Sequence, residues 1–471
     1  MPLEALGDKG FCTDYGLRYS YVGGSMAHGI SSPELAEALG RNGMLGFIGT
    51  AGKSPDFVEA AIERMQAISP KIPFGFNLIH SPNEPALEDA LCRLYLKRGV
   101  RLIEASAFLA MTLPLIRYRV HGIHRGPDGA IIAPNRVMAK ASRVEVASKF
   151  FAPPPEKMLS ELVSKGEITE EQARLAAQIP VAQDMTAEAD SGGHTDNRPA
   201  VSLLPTFLAL RDRMQTQYGY AMPLRVGLGG GIATPASAAA AFAMGAAWIV
   251  VGSVHQSCIE SGVSPAARDM LAQAGQADTA MCPAGDMFEM GVTVQVLKRG
   301  TMFPMRASKL YELYRAYSGL NEIPATERAN LEKNLFKDTL ENIWAQTREF
   351  FSRRDPAQVE RAERDPKHLM ALVFRWYLGQ SPRWAVAGDP ARRVDYQIWC
   401  GPAMGAFNEW IKGSFLEPPA ARTAKAAALN LLFGASVVLR QQTLRSQGAI
   451  LPPEVLATPP LTPDAIFSAI R

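Results

Sequence analysis

Leu224-Arg225-Val226-Gly227-Leu228-Gly229-Gly230-Gly231-Ile232-Ala233-Thr234-Pro235, an alanine-rich run, and Gly245-Ala246-Ala247-Trp248-Ile249-Val250-Val251-Gly252-Ser253 together decide the fold. The pattern predicts a strand over 224–228, a glycine turn, a helix, a strand over 248–251 and a second glycine turn. Thr234 is placed to cap a helix that Pro235 opens and Gly245 closes. Gly229, Gly230, Gly231 and Gly252 lack a Cβ, so their backbone N–H groups can approach a phosphate closely, with Ser253 beside them. Two such turns at the ends of neighbouring parallel strands match the phosphate site after strands 7 and 8 of a TIM (β/α)8 barrel.

Outward from this stretch, strand signals fall at 17–22, 45–48, 73–79, 101–105, 136–142 and 180–185, with helical segments between most of them. Eight strands alternating with helices favour a closed barrel over an open sheet. Residues 152–179 interrupt the pattern as a helical hairpin. Gly166 ends its first helix, and Thr169 with Gln172 makes a capping box for the second. From about 297 the strand signals stop, and long helices are predicted over 308–318, 327–353, 356–378 and 420–447. The expected division is a barrel over 1–296 and a mainly helical domain over 297–471, whose last helix packs back on the barrel.

A chain of 471 residues suits about two domains. With 47% hydrophobic and 20% charged residues it reads as an ordinary globular protein rather than a disordered one. A net charge of +3, without a basic stripe, gives no sign of nucleic-acid binding. No apolar run reaches membrane-spanning length, and the first residues lack the apolar core of a signal peptide. Cys12, Cys92, Cys258, Cys282 and Cys400 are odd in number and lack a CxxC pair, so reduced thiols in a cytoplasmic protein are expected. His121 and His124 have no further ligand at metal spacing, so no metal site is expected.

Several polar or glycine-rich segments sit at predicted strand ends, the face on which barrel sites are built. They are Gly24-Ser25-Met26, Asn77, Lys140 and Ser191-Gly192-Gly193-His194. Each has a plain reading too: a tight turn for the glycine pairs, a strand-end polar residue for Asn77. Lys140 says more, because an ammonium inside an apolar strand needs a partner. His194 is the sharpest candidate. The two glycines before it leave room for a flat ring system against the backbone. Its imidazole can serve as acid, base or donor, or it is a loop histidine held by Asp190 or Asp196. No serine stands in a nucleophile elbow.

Gly23-Gly24-Ser25-Met26, Pro73-Phe74-Gly75-Phe76-Asn77, Ser191-Gly192-Gly193-His194, Gly230-Gly231-Ile232 and Gly252-Ser253 resemble the FMN-dependent nitronate monooxygenase (2-nitropropane dioxygenase) superfamily. Four stretches resemble its PfaD-like branch, the trans-acting enoyl reductases of polyunsaturated fatty acid and trans-acyltransferase polyketide synthases. They are Glu188 to Pro199, Asp286 to Gly291, Val296 to Arg306 and Asp395 to Gly405. One departure is Asp190-Ser191, where nitronate monooxygenases tend to have Glu-Ala.

The resemblance implies FMN at the barrel mouth, NADPH as reductant, and an enoyl thioester on an acyl carrier protein as substrate. By position, the FMN phosphate falls to Gly230, Gly231, Gly252 and Ser253. The ring system falls near Gly24, Ser25, Met26, Asn77 and Lys140, and His194 matches the active-site histidine. Lys298, Arg299, Arg306, Lys309, Arg315, Arg353 and Arg354 are candidates for docking an acidic carrier, or are ordinary solvated faces. The competing readings are a nitronate monooxygenase or other flavin oxidase, and a non-catalytic flavin-binding scaffold. The oligomeric state stays open, with a homodimer as one option.

Overall fold

The structure is a computed structural model that describes residues 2–80, 82 and 84–470. Eight parallel strands close into a barrel: β1 Tyr21–Gly23, β2 Leu45–Ile48, β3 Phe74–Ile79, β4 Leu102–Ser106, β5 Arg136–Ala141, β6 Asp184–Glu188, β7 Arg225–Gly229 and β8 Ile249–Val251. Each pairs with its neighbours in chain order, and β1 closes the ring against β8. Short caps set the helix starts. Ser32, Ser54 and Thr234 each accept a backbone N–H in the first turn, with proline at the following position.

Two strands are displaced from their expected positions. The first begins at Tyr21 because the N–H groups of Arg18 and Tyr19 go to the Gly43 carbonyl instead. The sixth begins at Asp184 rather than 180. Val181 and Ala182 are apolar and buried, but they donate to the carbonyls of Ala152 and Phe150 and so tie down the helical excursion. The excursion itself comprises Glu156–Ser164 and Glu170–Ala176, the second with the Thr169–Gln172 capping box.

Two long helices expected from the sequence are each divided. The segment over 327–353 breaks at Lys337, which takes a left-handed φ of 58°, and Thr339 caps a new helix, Leu340–Arg354. The segment over 356–378 breaks at Asp365, whose carboxylate caps Pro366–Ala387 by accepting from Lys367 and His368 N–H.

A three-stranded antiparallel sheet does not follow from the sequence pattern. Thr279–Pro283 pairs with Thr293–Leu297, which pairs in turn with Gly193–His194. The expected boundary after 296 therefore falls inside a strand. A separate hydrophobic cluster runs from Cys282 to Leu378, around Phe288, Phe303, Phe336, Phe374 and Tyr377. From Tyr396 onward the buried residues join the barrel cluster again. There the helix Ala424–Ser446 lies along Pro235–Ala243. Contact is so close at Gly434 that a Cβ would stand 2.4 Å from the Pro235 ring. No helix among the described residues is long and apolar enough to cross a membrane.

Gly434→Leu is expected to wedge this helix off the barrel and to lower stability by about 1–3 kcal/mol. Urea denaturation followed by far-ultraviolet circular dichroism measures it; an unchanged midpoint would mean that the helix adds nothing to the barrel wall.

Candidate functional site

The strands deliver their C-terminal ends to one cavity of about 990 Å³. Its floor is the barrel mouth, and its walls include Phe350 and Arg354 of Leu340–Arg354 and Leu372, Trp376 and Arg383 of Pro366–Ala387. Gly24, Ser25, Met26, Asn77, Lys140, Ser191, Gly192, Gly193, His194, Gly229, Gly230, Gly231, Gly252 and Ser253 all line it.

The glycine turns differ in what their bareness serves. At Gly230, with φ 87°, a Cβ would stand 2.6 Å from the Ala189 carbonyl, so only glycine fits. At Gly231 and Gly252 a Cβ would meet nothing within 4 Å, so that backbone faces open cavity. Gly192 does not leave its bare face to a flat ring. Its missing Cβ instead admits the Cys400 backbone, which would lie 2.8 Å away.

Lys140 has two partners. Its Nζ stands 3.5 Å from Glu104 Oε2 and 3.5 Å from Glu188 Oε1, bridging the ends of β4, β5 and β6. Burial works against the ammonium, but the Glu104 and Glu188 carboxylates outweigh it and hold its pKa above that of an ordinary lysine. Glu104 is fully buried and also accepts from Ser25 N–H at 2.9 Å and from Ser25 Oγ, which fixes the loop after β1. Asn77 donates to the Glu104 carbonyl at 3.1 Å and to Ser106 Oγ at 2.7 Å, while its own carbonyl accepts from Tyr95 and Thr50.

His194 is held by neither carboxylate expected of it. Asp190 accepts from Gln295 and Asn197, and Asp196 is taken by Ser142 and a bidentate Arg143. Asp286 takes that place, with Oδ1 3.2 Å from His194 Nε2. The small sheet makes this possible by pairing His194 with Val294. Burial disfavours the imidazolium, yet the Asp286 carboxylate, with Glu188 behind it, raises the His194 pKa above its ordinary value. Glu104 and Asp286 are candidate site groups that sequence reasoning missed. A carboxylate within the apolar run 102–105 was the available signal for the first; Asp286 had none beyond its place in a motif.

His28, which the sequence did not single out, also lines the cavity. Its φ is 57°, and its ring stacks on Trp399 with centroids 5.4 Å apart. Burial, then the Arg383 and Lys53 cations, lower its pKa to about 4 against an opposing Asp286.

The expected basic face is only partly a face. Arg306 is turned inward onto the fully buried Asp395, which also accepts from Tyr377 at 2.8 Å and Arg392 at 3.3 Å. Arg354 makes a bidentate pair with Glu84 across the cavity mouth at 2.5 and 2.8 Å. Arg299, Lys309 and Arg353 pair with Asp278, Glu327 and Glu349 at the surface.

A family model described as nitronate monooxygenase matches residues 13–312. A second, the inserted helical domain of [acyl-carrier-protein] S-malonyltransferase, matches residues 317–396. The chain is 45% identical over 455 residues to a polyunsaturated fatty acid synthase polypeptide of Thraustochytrium sp., covering 95% of this chain and 30% of that protein. It is 44% identical over 440 residues to polyketide biosynthesis protein PksE of Bacillus subtilis, covering 93% of this chain and 57% of that one. It thus spans less than two thirds of either curated relative. Among solved structures, the enoyl reductase domain of MlnA from the macrolactin cluster of Bacillus amyloliquefaciens superposes with a TM-score of 0.90 at 40% identity, over 94% of this chain and 99% of that one. FabK from Thermotoga maritima, at 18% identity and a TM-score of 0.54, over 93% of this chain and 99% of that one, shares the fold.

Lys140→Met leaves Glu104 as an unpaired buried carboxylate and is expected to cost about 3–5 kcal/mol. Adding Glu104→Gln should recover part of that loss in the same urea titration. If the double variant is no more stable than the single one, the pair does not carry the strand ends.

Proposed function

The chain belongs to the nitronate monooxygenase family, and from that premise we propose that it is an FMN-dependent enoyl reductase using NADPH on acyl groups borne by an acyl carrier protein. The observation that carries the reading is the single cavity that joins the glycine turns, the Asp286–His194 pair and an apolar wall from the helical lobe. Its resemblance to the enoyl reductase domain of MlnA supports the same activity. So does the helical lobe, whose family model takes its name from an enzyme of acyl carrier protein.

The residues present fit a flavin mononucleotide. Gly231 and Gly252 present backbone to space that a side chain would fill, and Ser253 adds a hydroxyl. Among the described residues Ser191 Oγ is buried without a hydrogen-bond partner and suits a ligand's polar edge. Gly230, Gly231, Gly252 and Ser253 would hold the phosphate, and Gly24, Ser25, Met26, Asn77 and Lys140 would lie along the ring. Bound there, FMN supplies a hydride relay between a nicotinamide and an acyl chain.

The chain's own residues supply the rest. Reduction of a 2-enoyl thioester builds negative charge on the carbonyl oxygen and needs a proton at the α-carbon. His194 is suited to give that proton or to hold that charge, because Asp286 keeps its imidazolium populated to higher pH. Phe350, Leu372 and Trp376 offer an apolar wall to an acyl chain. A small nitronate, the competing substrate, would leave that wall uncovered.

The visible spectrum of the purified protein tests the reading. Flavin absorption should bleach with NADPH and return with an enoyl thioester faster than with air. Gly252→Asp should abolish the absorption, since its carboxylate meets the phosphate where the fold leaves room. Turnover of nitronates and not of enoyl thioesters would overturn the assignment.

A pH profile tests the proton donor. The His194 pKa is raised, so the donor form persists above the ordinary histidine range and is lost as pH rises through the folded value. Asp286→Asn should move the alkaline limb of kcat/KM to lower pH. His194→Ala should slow enoyl reduction on the order of 10²-fold while leaving NADPH oxidation by the flavin near normal. An alkaline limb that stays in place in Asp286→Asn assigns it to another group.

A further inference from the structure

At the cavity rim stand two cations that the proposed reaction does not use: Arg383, which lines the cavity, and Lys53, which follows the lining residue Gly52 in the chain. Arg383 projects into the cavity from the helix Pro366–Ala387, which packs on the turn Ala27–Gly29. Lys53 comes to the same turn from the loop after β2. A Cβ on Gly29 would stand 3.4 Å from its Nζ. His28 belongs to that turn and feels both cations, its ring so close to Gly52 that a Cβ there would lie 2.7 Å away.

Among the described residues neither cation has a carboxylate partner. Lys53 Nζ sits over the Phe57 ring at 4.4 Å, and after burial the charge acting on it is Arg383. After burial, the charge acting on Arg383 is Arg354, itself committed to Glu84. Both pKa values are lowered. Asp286 faces His28 from the other side but is engaged by His194. Like charges held together at a partly apolar mouth repel one another, and a bound anion relieves that repulsion. The neutral His28 adds no third charge.

We infer that Lys53 and Arg383, with His28 beside them, form a phosphate-binding subsite at the cavity mouth, separate from the glycine turns. Its ligand is the phosphate of an arm that reaches into the cavity. On the enoyl reductase reading, on which this rests, two arms carry one: the 2′-phosphate of NADPH and the phosphodiester of a carrier protein's pantetheine.

Isothermal titration calorimetry on the full chain tests this without turnover. The probes are 2′,5′-ADP against adenosine, and 4′-phosphopantetheine against pantetheine. The wild type should bind at least one phosphorylated probe more tightly than its unphosphorylated counterpart, with marked salt dependence. Lys53→Gln and Arg383→Gln should each weaken that probe about tenfold and leave the unphosphorylated one unchanged. Loss confined to 2′,5′-ADP assigns the subsite to the nicotinamide nucleotide; loss confined to 4′-phosphopantetheine assigns it to the carrier arm. Equal binding of phosphorylated and unphosphorylated probes by the wild type overturns the subsite, as does undiminished binding by the double variant with an unchanged melting temperature. A protein that binds the probes as expected yet reduces no enoyl thioester keeps the subsite and loses the enoyl reductase reading instead.

Discussion

One buried ammonium sets the geometry of the barrel mouth. Lys140 stands between Glu104 and Glu188, and through them the ends of three consecutive strands share one charge balance. Leaving any of these charges unpaired in the interior costs several kcal/mol, so the strand ends are not free to drift apart. Glu104 extends the constraint to the loop after β1 by taking the N–H and hydroxyl of Ser25. Asn77, donating to the Glu104 carbonyl, adds β3. The cavity floor is therefore a preorganised polar surface.

The second layer of the site comes from outside the barrel. The strand Thr293–Leu297 pairs with Gly193–His194, so the lobe that covers the cavity also holds the candidate proton donor. Asp286 belongs to the same insertion and sits 92 residues from its histidine. The cavity walls and the carboxylate that holds His194 thus come from the same lobe.

The chain reaches that arrangement by leaving the barrel and returning to it. The cluster around Phe288, Phe336 and Phe374 gives the lobe its own core, and the residues from Tyr396 onward rejoin the barrel core. Gly192 and Gly401 let the returning backbone cross the loop after β6 at close range. Ser253 accepts from Gly401 N–H at 3.3 Å, which ties the second glycine turn to this crossing. Gly192, which reads as part of a ligand cradle, thus owes its bareness to packing.

Features fixed by neighbours in the chain were legible in the sequence. The barrel order, the capped helix starts, the capping box at Thr169 and the glycine turns at Gly230, Gly231 and Gly252 depend on local periodicity and backbone freedom, which residue order alone specifies. The lysine in an apolar strand announced that a partner must exist, because burial of a lone charge is prohibitive, but not which one. Only the tertiary structure chose Glu104 and Glu188 for Lys140, and Asp286 over Asp190 and Asp196 for His194. It likewise turned Arg306 inward to Asp395 and brought Arg383 to Lys53. Each of these choices is a through-space electrostatic contact, attractive or repulsive, between distant segments, and their relative placement is a property of the packed fold rather than of any stretch of sequence.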